Sequence, residues 1–113
     1  VFGCAGERDK KKRPLMGEIS ARFADISVFT AEDPRSEIIE DIINQMVKGT
    51  RKVKDARIYQ IRDRGEAIFY AINNLAKKGD TVVICGKGHE KTMAYGVTEI
   101  TWSDRKVVEL ALR

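Results

Sequence analysis

Residues 81–90 read Thr-Val-Val-Ile-Cys-Gly-Lys-Gly-His-Glu. The apolar run Val82-Val83-Ile84-Cys85 follows the turn signal Gly79-Asp80, which predicts a strand buried on both faces, as parallel sheets require. That run ends in Gly86-Lys87-Gly88-His89-Glu90, a knot of glycine, cation, imidazole and carboxylate. Polar chemistry at the carboxyl end of a buried parallel strand is where open α/β sheets hold their ligands.

The rest of the chain repeats the alternation that such a sheet needs. Upstream, "VFGCAG" (1–6) reads as a strand ending at Gly6. Pro14 suits a first helical position, and Leu15, Ile19 and Phe23 follow on one helical face. "ISVFT" (26–30) is a second strand. Ser36 is placed to cap a helix whose pairs Ile38/Ile39, Ile42/Ile43 and Met46/Val47 recur every four residues, with Gly49 closing it. "ARIYQI" (56–61) is a third strand. Asp63 and Glu66 have capping-box spacing ahead of Ala67, Ile68, Ala71, Ile72 and Leu75. Downstream, "VTEITW" (97–102) is a last strand, and Ser103 caps a helix bearing Val107, Val108 and Ala111. The expectation is a Rossmann-like three-layer α/β/α fold with a mostly parallel sheet of five to six strands and right-handed crossovers.

The length, 113 residues, suits one domain spanning 1–113. Val1 is not an initiator methionine and "VFGCAG" starts in mid-strand, so the expectation is a fragment of a longer protein. No apolar run is long enough to span a bilayer, and no signal-peptide pattern opens the chain. Cys4 and Cys85 each end an apolar run and read as buried free thiols of a reducing cytoplasm, although a disulfide between neighbouring strands stays open. His89 is the sole histidine, and no metal-ligand spacing exists. The net charge of +4 owes much to "RDKKKR", Arg8 to Arg13. Such a cluster suits an anionic small molecule, a nucleic acid, or solvent alone.

Three polar loops fall at the carboxyl ends of strands: Gly6 to Lys10, "TAEDPRS" (30–36), and Gly86 to Glu90. A ligand carrying both ammonium and carboxylate fits their residue types. Arg8 and Arg35 supply forks for carboxylates; Asp33 and Glu90 supply acceptors for an ammonium. Gly86 and Gly88 let backbone approach the ligand closely, and Pro34 stiffens the loop presenting Arg35. Each has a plainer reading: Arg35 pairing with Glu32 or Glu37 on the surface, Gly86 and Gly88 as turn residues, His89 bonded to a loop. The chain has neither a Walker A loop nor G-x-G-x-x-G after a strand.

Together these segments resemble the C-terminal domain of MurE-type Mur ligases, the UDP-N-acetylmuramoyl-dipeptide:amino-acid ligases of bacterial cell-wall synthesis. "VFGCAGERDKKKRPLMGEIS" is similar to V-F-G-C-G-G-D-R-D-x-x-K-R-P-x-M, "TAEDPRSE" to the D-N-P-R-x-E loop, "GDTVVICGKGHEK" to G-D-x-V-x-I-A-G-K-G-H-E, and "TWSDRKVVELAL" to the closing F-D-D-R-E-x-A-x-x-A-L helix. The match covers nearly the whole chain in order. The resemblance implies a cytoplasmic enzyme that uses ATP and Mg2+ to phosphorylate the carboxylate of UDP-MurNAc-dipeptide. The incoming amine then attacks that acyl phosphate and becomes the third residue of the peptidoglycan stem.

Carried over by motif, the amino-acid-binding residues are Arg8, Glu32, Asp33, Pro34, Arg35, Gly86 and Glu90. Lys10, Lys12, Lys87 and His89 are candidates for phosphate or domain-closure contacts, and no residue is assigned to catalysis or to a metal. Arginine at the end of D-N-P-R marks enzymes for meso-diaminopimelate, whose second carboxylate it grips. Against that, Glu32 stands for Asp and Asp33 for Asn, and the added charge beside Arg35 favours a more cationic amino acid. The P-loop and magnesium carboxylates of the family belong to a central ATPase domain not within these residues, so the chain alone is expected to be inactive. Alternatives are a paralogue adding L-lysine or L-ornithine, one working on cyanophycin or pseudomurein, or a non-catalytic polyanion-binding module. Scattered aromatics speak against single-stranded nucleic acid as partner.

Overall fold

A computed structural model describes all 113 residues, Val1–Arg113. In chain order the elements are α1 (Lys12–Phe23), β1 (Ser27–Phe29), α2 (Ile39–Thr50), β2 (Ile58–Gln60), α3 (Arg64–Tyr70, prolonged by a π-helical turn Ala71–Leu75), β3 (Thr92–Tyr95), β4 (Thr98–Thr101) and α4 (Asp104–Ala111). The α/β alternation stands, and so do two of the expected caps. Asp63 accepts from Glu66 N–H at 2.8 Å, and Ser103 from Lys106 N–H at 3.2 Å. Ser36 caps nothing; its N–H donates to Glu7 Oε2, and α2 starts after Ile38 without a side-chain cap.

The expected sheet of five to six strands does not form. β1 and β2 pair in parallel, Val28 opposite Tyr59, while β3 and β4 form a separate antiparallel hairpin. Residues 1–5 and 81–85 extend the parallel pair only by isolated bonds. Phe2 N–H donates to Val28 O at 3.1 Å and Thr30 N–H to Phe2 O at 3.0 Å. Val1 bonds on both sides of Ile84, its amine to Val83 O at 2.8 Å and its carbonyl from Cys85 N–H at 2.9 Å. The extended segments thus lie in the order 81–85, 1–5, β1, β2. Residues 81–85 are an edge, not a core strand, and Val83 is 60% exposed. Cys85 is exposed as well; only Cys4 is a buried thiol, and both are free. Burial pushes the Cys4 thiol up to about 11.

Both faces of this array are covered. Phe29 points to α2, packing with Cys4, Ile39, Ile42, Ile43 and Met46. Its neighbour Val28 points the other way, to Ala67 and Ala71. The three layers follow from that alternation.

The apolar stripe of α1 is the clearest departure from helical periodicity. Leu15, Ile19 and Phe23 face outward, 56%, 57% and 86% exposed, whereas Arg13, Gly17 and Ala21 are buried. The reason is the way α1 meets α2: a Cβ on Gly17 would overlap the Met46 carbonyl, and one on Gly49 the Pro14 carbonyl. Gly49 lies inside α2 and serves this close approach rather than closing the helix. Gly49→Ala must therefore separate two backbones. We expect it to cost about 3 kcal/mol, the upper end of ordinary overpacking, read as a lowered urea midpoint with an unchanged slope.

Candidate functional site

The three predicted loops meet. Gly6 N–H donates to Asp33 O at 2.9 Å, Arg35 Nη1 to Gly6 O at 2.9 Å, and Glu7 N–H to Glu37 Oε2 at 2.6 Å. A side chain on Gly6 would overlap the Pro34 carbonyl, so the first two loops touch along their backbones. The third loop joins through Lys87, whose Nζ lies 2.9 Å from both Asp33 oxygens and 3.0 Å from Glu90 Oε2. β3 closes the group: Ala94 N–H donates to Asp33 Oδ1 at 2.8 Å, and Arg35 bridges Tyr95 through Arg35 N–H to Ala94 O and Gly96 N–H to Arg35 O.

Backbone conformation at this junction is costly. Asp33 and Arg35 sit at φ 41° and 51°, flanking Pro34, and Gly86 at φ 106°. Left-handed non-glycine residues persist only where surroundings hold them, and they gather at ligand sites. Gly86 is needed twice over, for its φ and because a Cβ there would collide with the Glu32 carboxylate.

The charges divide into those consumed by the fold and those presented outward. Burial works against an ionised Asp33, but the Lys87 and Ala94 hydrogen bonds hold its carboxyl below the usual range. Burial likewise opposes the Lys87 ammonium, and Asp33 and Glu90 raise it. Lys87 is 2% exposed, so its ammonium is enclosed rather than offered to a phosphate. Glu32 makes no hydrogen bond within the chain, and burial pushes its carboxyl up against the opposing charges of Arg64 and Lys87. Arg35 spends Nη1 on Gly6 O and, more weakly, on Asp33 O at 3.5 Å. It pairs with neither Glu32 nor Glu37, and the rest of its fork is left over. Arg8 is exposed and donates only to the Glu7 carbonyl at 3.3 Å. Glu90 is half exposed and His89 exposed. Lys10 lies 3.8 Å from Glu37 with its ammonium in solvent; Lys12 is exposed at the start of α1.

Several organising residues escaped the sequence reading. Arg13, the last of the basic run, is buried and forks onto Glu37 at 2.9 and 2.8 Å while reaching the Ala5 carbonyl at 2.9 Å. The Arg13 hydrogen bonds lead in lowering Glu37 to about 2. Met93, fully buried, receives Asp33 N–H on its sulfur at 3.3 Å. Arg64 and Asp104 form a buried bidentate pair behind the loops. Arg13 and Asp104 fall within the motif segments quoted above, but residue type alone gave no sign that they are buried.

A cavity of about 640 Å³ lies elsewhere, between Phe23, Val28, Leu75 and Val83. It is lined mainly by apolar groups and carries none of the convergent charges, so the polar junction is the candidate site. No three His, Cys, Asp or Glu side chains gather closely enough to hold a metal ion, and no helix is long and apolar enough to cross a membrane.

Layers of this kind, with arginine forks and carboxylates gathered at strand ends, are those of an α/β domain. The profile of the family described as "Mur ligase, glutamate ligase domain" matches residues 1–88, and the chain belongs to that family. It is 49% identical over its full 113 residues to a UDP-N-acetylmuramoyl-L-alanyl-D-glutamate--2,6-diaminopimelate ligase of Syntrophomonas wolfei. It is 44% identical, again over all 113 residues, to the ligase of that name from Geobacillus thermodenitrificans. It also superposes on a solved structure of such a ligase with a TM-score of 0.91 and 38% identity, covering 99% of this chain and 23% of that one. The chain spans 23% of the length of either relative.

Proposed function

We propose that these residues are the amino-acid-binding part of an ATP-dependent ligase that adds meso-diaminopimelate to UDP-MurNAc-dipeptide as third residue of the peptidoglycan stem, in the cytoplasm. The observation that carries this reading is the pairing of a partly unspent Arg35 fork with an unpartnered Glu32 carboxylate at one loop junction. Arg35, seconded by Arg8, grips a substrate carboxylate. Glu32 and the exposed oxygen of Glu90 receive an ammonium, and Gly86 lets the ligand lie close against backbone. Asp33 and Pro34 hold Arg35 in place.

The residues present do not fit an ATP and Mg2+ site: Lys87 is enclosed, and no triad of metal donors exists. ATP and Mg2+ are held mainly by a central ATPase domain outside these residues, toward which Lys10, Lys12 and His89 face on closure. Such closure sequesters an acyl phosphate from water. The unpaired edge of 81–85, the outward stripe Leu15, Ile19 and Phe23, and the adjoining apolar cavity support a further strand and helix of the same protein packing here. That strand brings the four extended segments to five.

Turnover by the full-length protein that carries this chain tests the reading. With UDP-MurNAc-dipeptide and ATP, meso-diaminopimelate should be joined in preference to L-lysine and L-ornithine, while the 113 residues alone form no amide. Preference for lysine or ornithine overturns the substrate; turnover with none of the three overturns the function.

A further inference from the structure

Arg64 opens α3 and belongs to none of the loops singled out by the charge argument, yet its side chain is entirely buried. Its Nε and Nη2 grip Asp104 Oδ1 and Oδ2, both at 2.8 Å. The same guanidinium donates through Nη1 to Ala31 O at 3.0 Å and through Nη2 to Cys85 O at 2.9 Å. Ala31 directly precedes Glu32 to Arg35, and Cys85 directly precedes Gly86 to Glu90. A planar fork fixed by one carboxylate can satisfy both carbonyls only at one separation of the two strand ends. Across that gap the Glu32 carboxylate lies against Gly86. Asp104 also accepts from Trp102 Nε1 at 2.7 Å, and Trp102 N–H donates to Lys91 O at 2.8 Å, which anchors the far end of the Gly86 to Glu90 loop to the same carboxylate.

The geometry points to Arg64 as a positioning residue for the substrate amino acid: backed by Asp104, it sets the gap between the Glu32 and Gly86 loops without touching the ligand. A salt bridge that merely fastened α3 to α4 would need only its Asp104 contacts. The two carbonyl bonds go instead to the two residues from which the site loops spring.

This inference rests on the proposed ligase function, and its test keeps the two apart. In the full-length protein, Arg64→Lys retains charge and reach to Asp104 but cannot span both carbonyls; Asp104→Asn keeps the shape and loosens the fork. Each should raise KM for meso-diaminopimelate about tenfold or more, as displaced binding loops do, while KM for ATP and for UDP-MurNAc-dipeptide stays within about twofold. Equal rises in all three constants, or an unchanged amino-acid KM, in variants with native circular dichroism would overturn it. Should Arg64→Lys fail to fold, Asp104→Asn carries the test with the same two outcomes. A wild-type protein inactive with every amino acid defeats the ligase reading; an active wild type with indifferent variants defeats only the role of Arg64.

Discussion

Arg35→Met should lower kcat/KM for meso-diaminopimelate by about a hundred- to a thousandfold and leave the weak use of L-lysine nearly unchanged. The two amino acids differ by one carboxylate, and only that group needs the fork. Removing one side of a desolvated charge pair costs about 2–5 kcal/mol, and each 1.4 kcal/mol is tenfold. Arg35→Lys should recover little, because an ammonium cannot repeat two parallel N–H donors. The backbone gives a control. Arg35 is held at φ 51° by its own N–H donating to Ala94 O and its C=O accepting from Gly96 N–H, bonds that neither substitution removes. Loss of fold is therefore not the expected cause of lost activity, and thermal midpoints of wild type and variants should agree within a few degrees. An equal loss of lysine use in Arg35→Met would show that the residue shapes the loop rather than choosing the substrate.

How far the sequence foretold this arrangement depends on which force placed each residue. Local hydrogen bonding was legible: Asp63 and Ser103 cap the helices they were expected to cap, because an N-cap is decided within four residues. The strand-end loops were legible too, since topology alone gathers them. Periodicity misled where backbone contact overrode it. Leu15, Ile19 and Phe23 have the spacing of a buried face, but Gly17 and Gly49 draw α1 onto α2 along a different face. Residues 81–85 looked like the surest core strand and lie at an edge, since burial depends on neighbours that composition cannot name. Thr92–Tyr95 was not expected as a strand, and it is the hairpin partner of Thr98–Thr101 and the support of Asp33. The buried arginines were the least legible. Arginine is mostly exposed, and the partners of Arg13 and Arg64 lie 24 and 40 residues away.

Lys87→Met should be the most damaging single change at the junction. It deletes the cation between Asp33, 16% exposed, and Glu90, 51% exposed, and leaves the first carboxylate desolvated beside Glu32. Breaking a buried pair from one side costs about 3–5 kcal/mol; the lower figure applies, since Glu90 keeps its water. The same pairing bears on substrate choice. An aspartate two residues before Arg35, in place of the asparagine of the D-N-P-R motif it resembles, was expected to dull its attraction for a carboxylate. The Asp33 oxygens instead point to Lys87 and to Ala94 N–H, so the added charge is met by a cation rather than by Arg35. If that is the arrangement, Asp33→Asn combined with Lys87→Met should regain most of the stability lost by Lys87→Met alone, since the pair is removed together rather than halved. Chemical denaturation of the four proteins in the cycle measures the coupling between Asp33 and Lys87. A double variant no more stable than Lys87→Met would mean that the ammonium serves Glu90 or the loop backbone, and that Asp33 does burden Arg35.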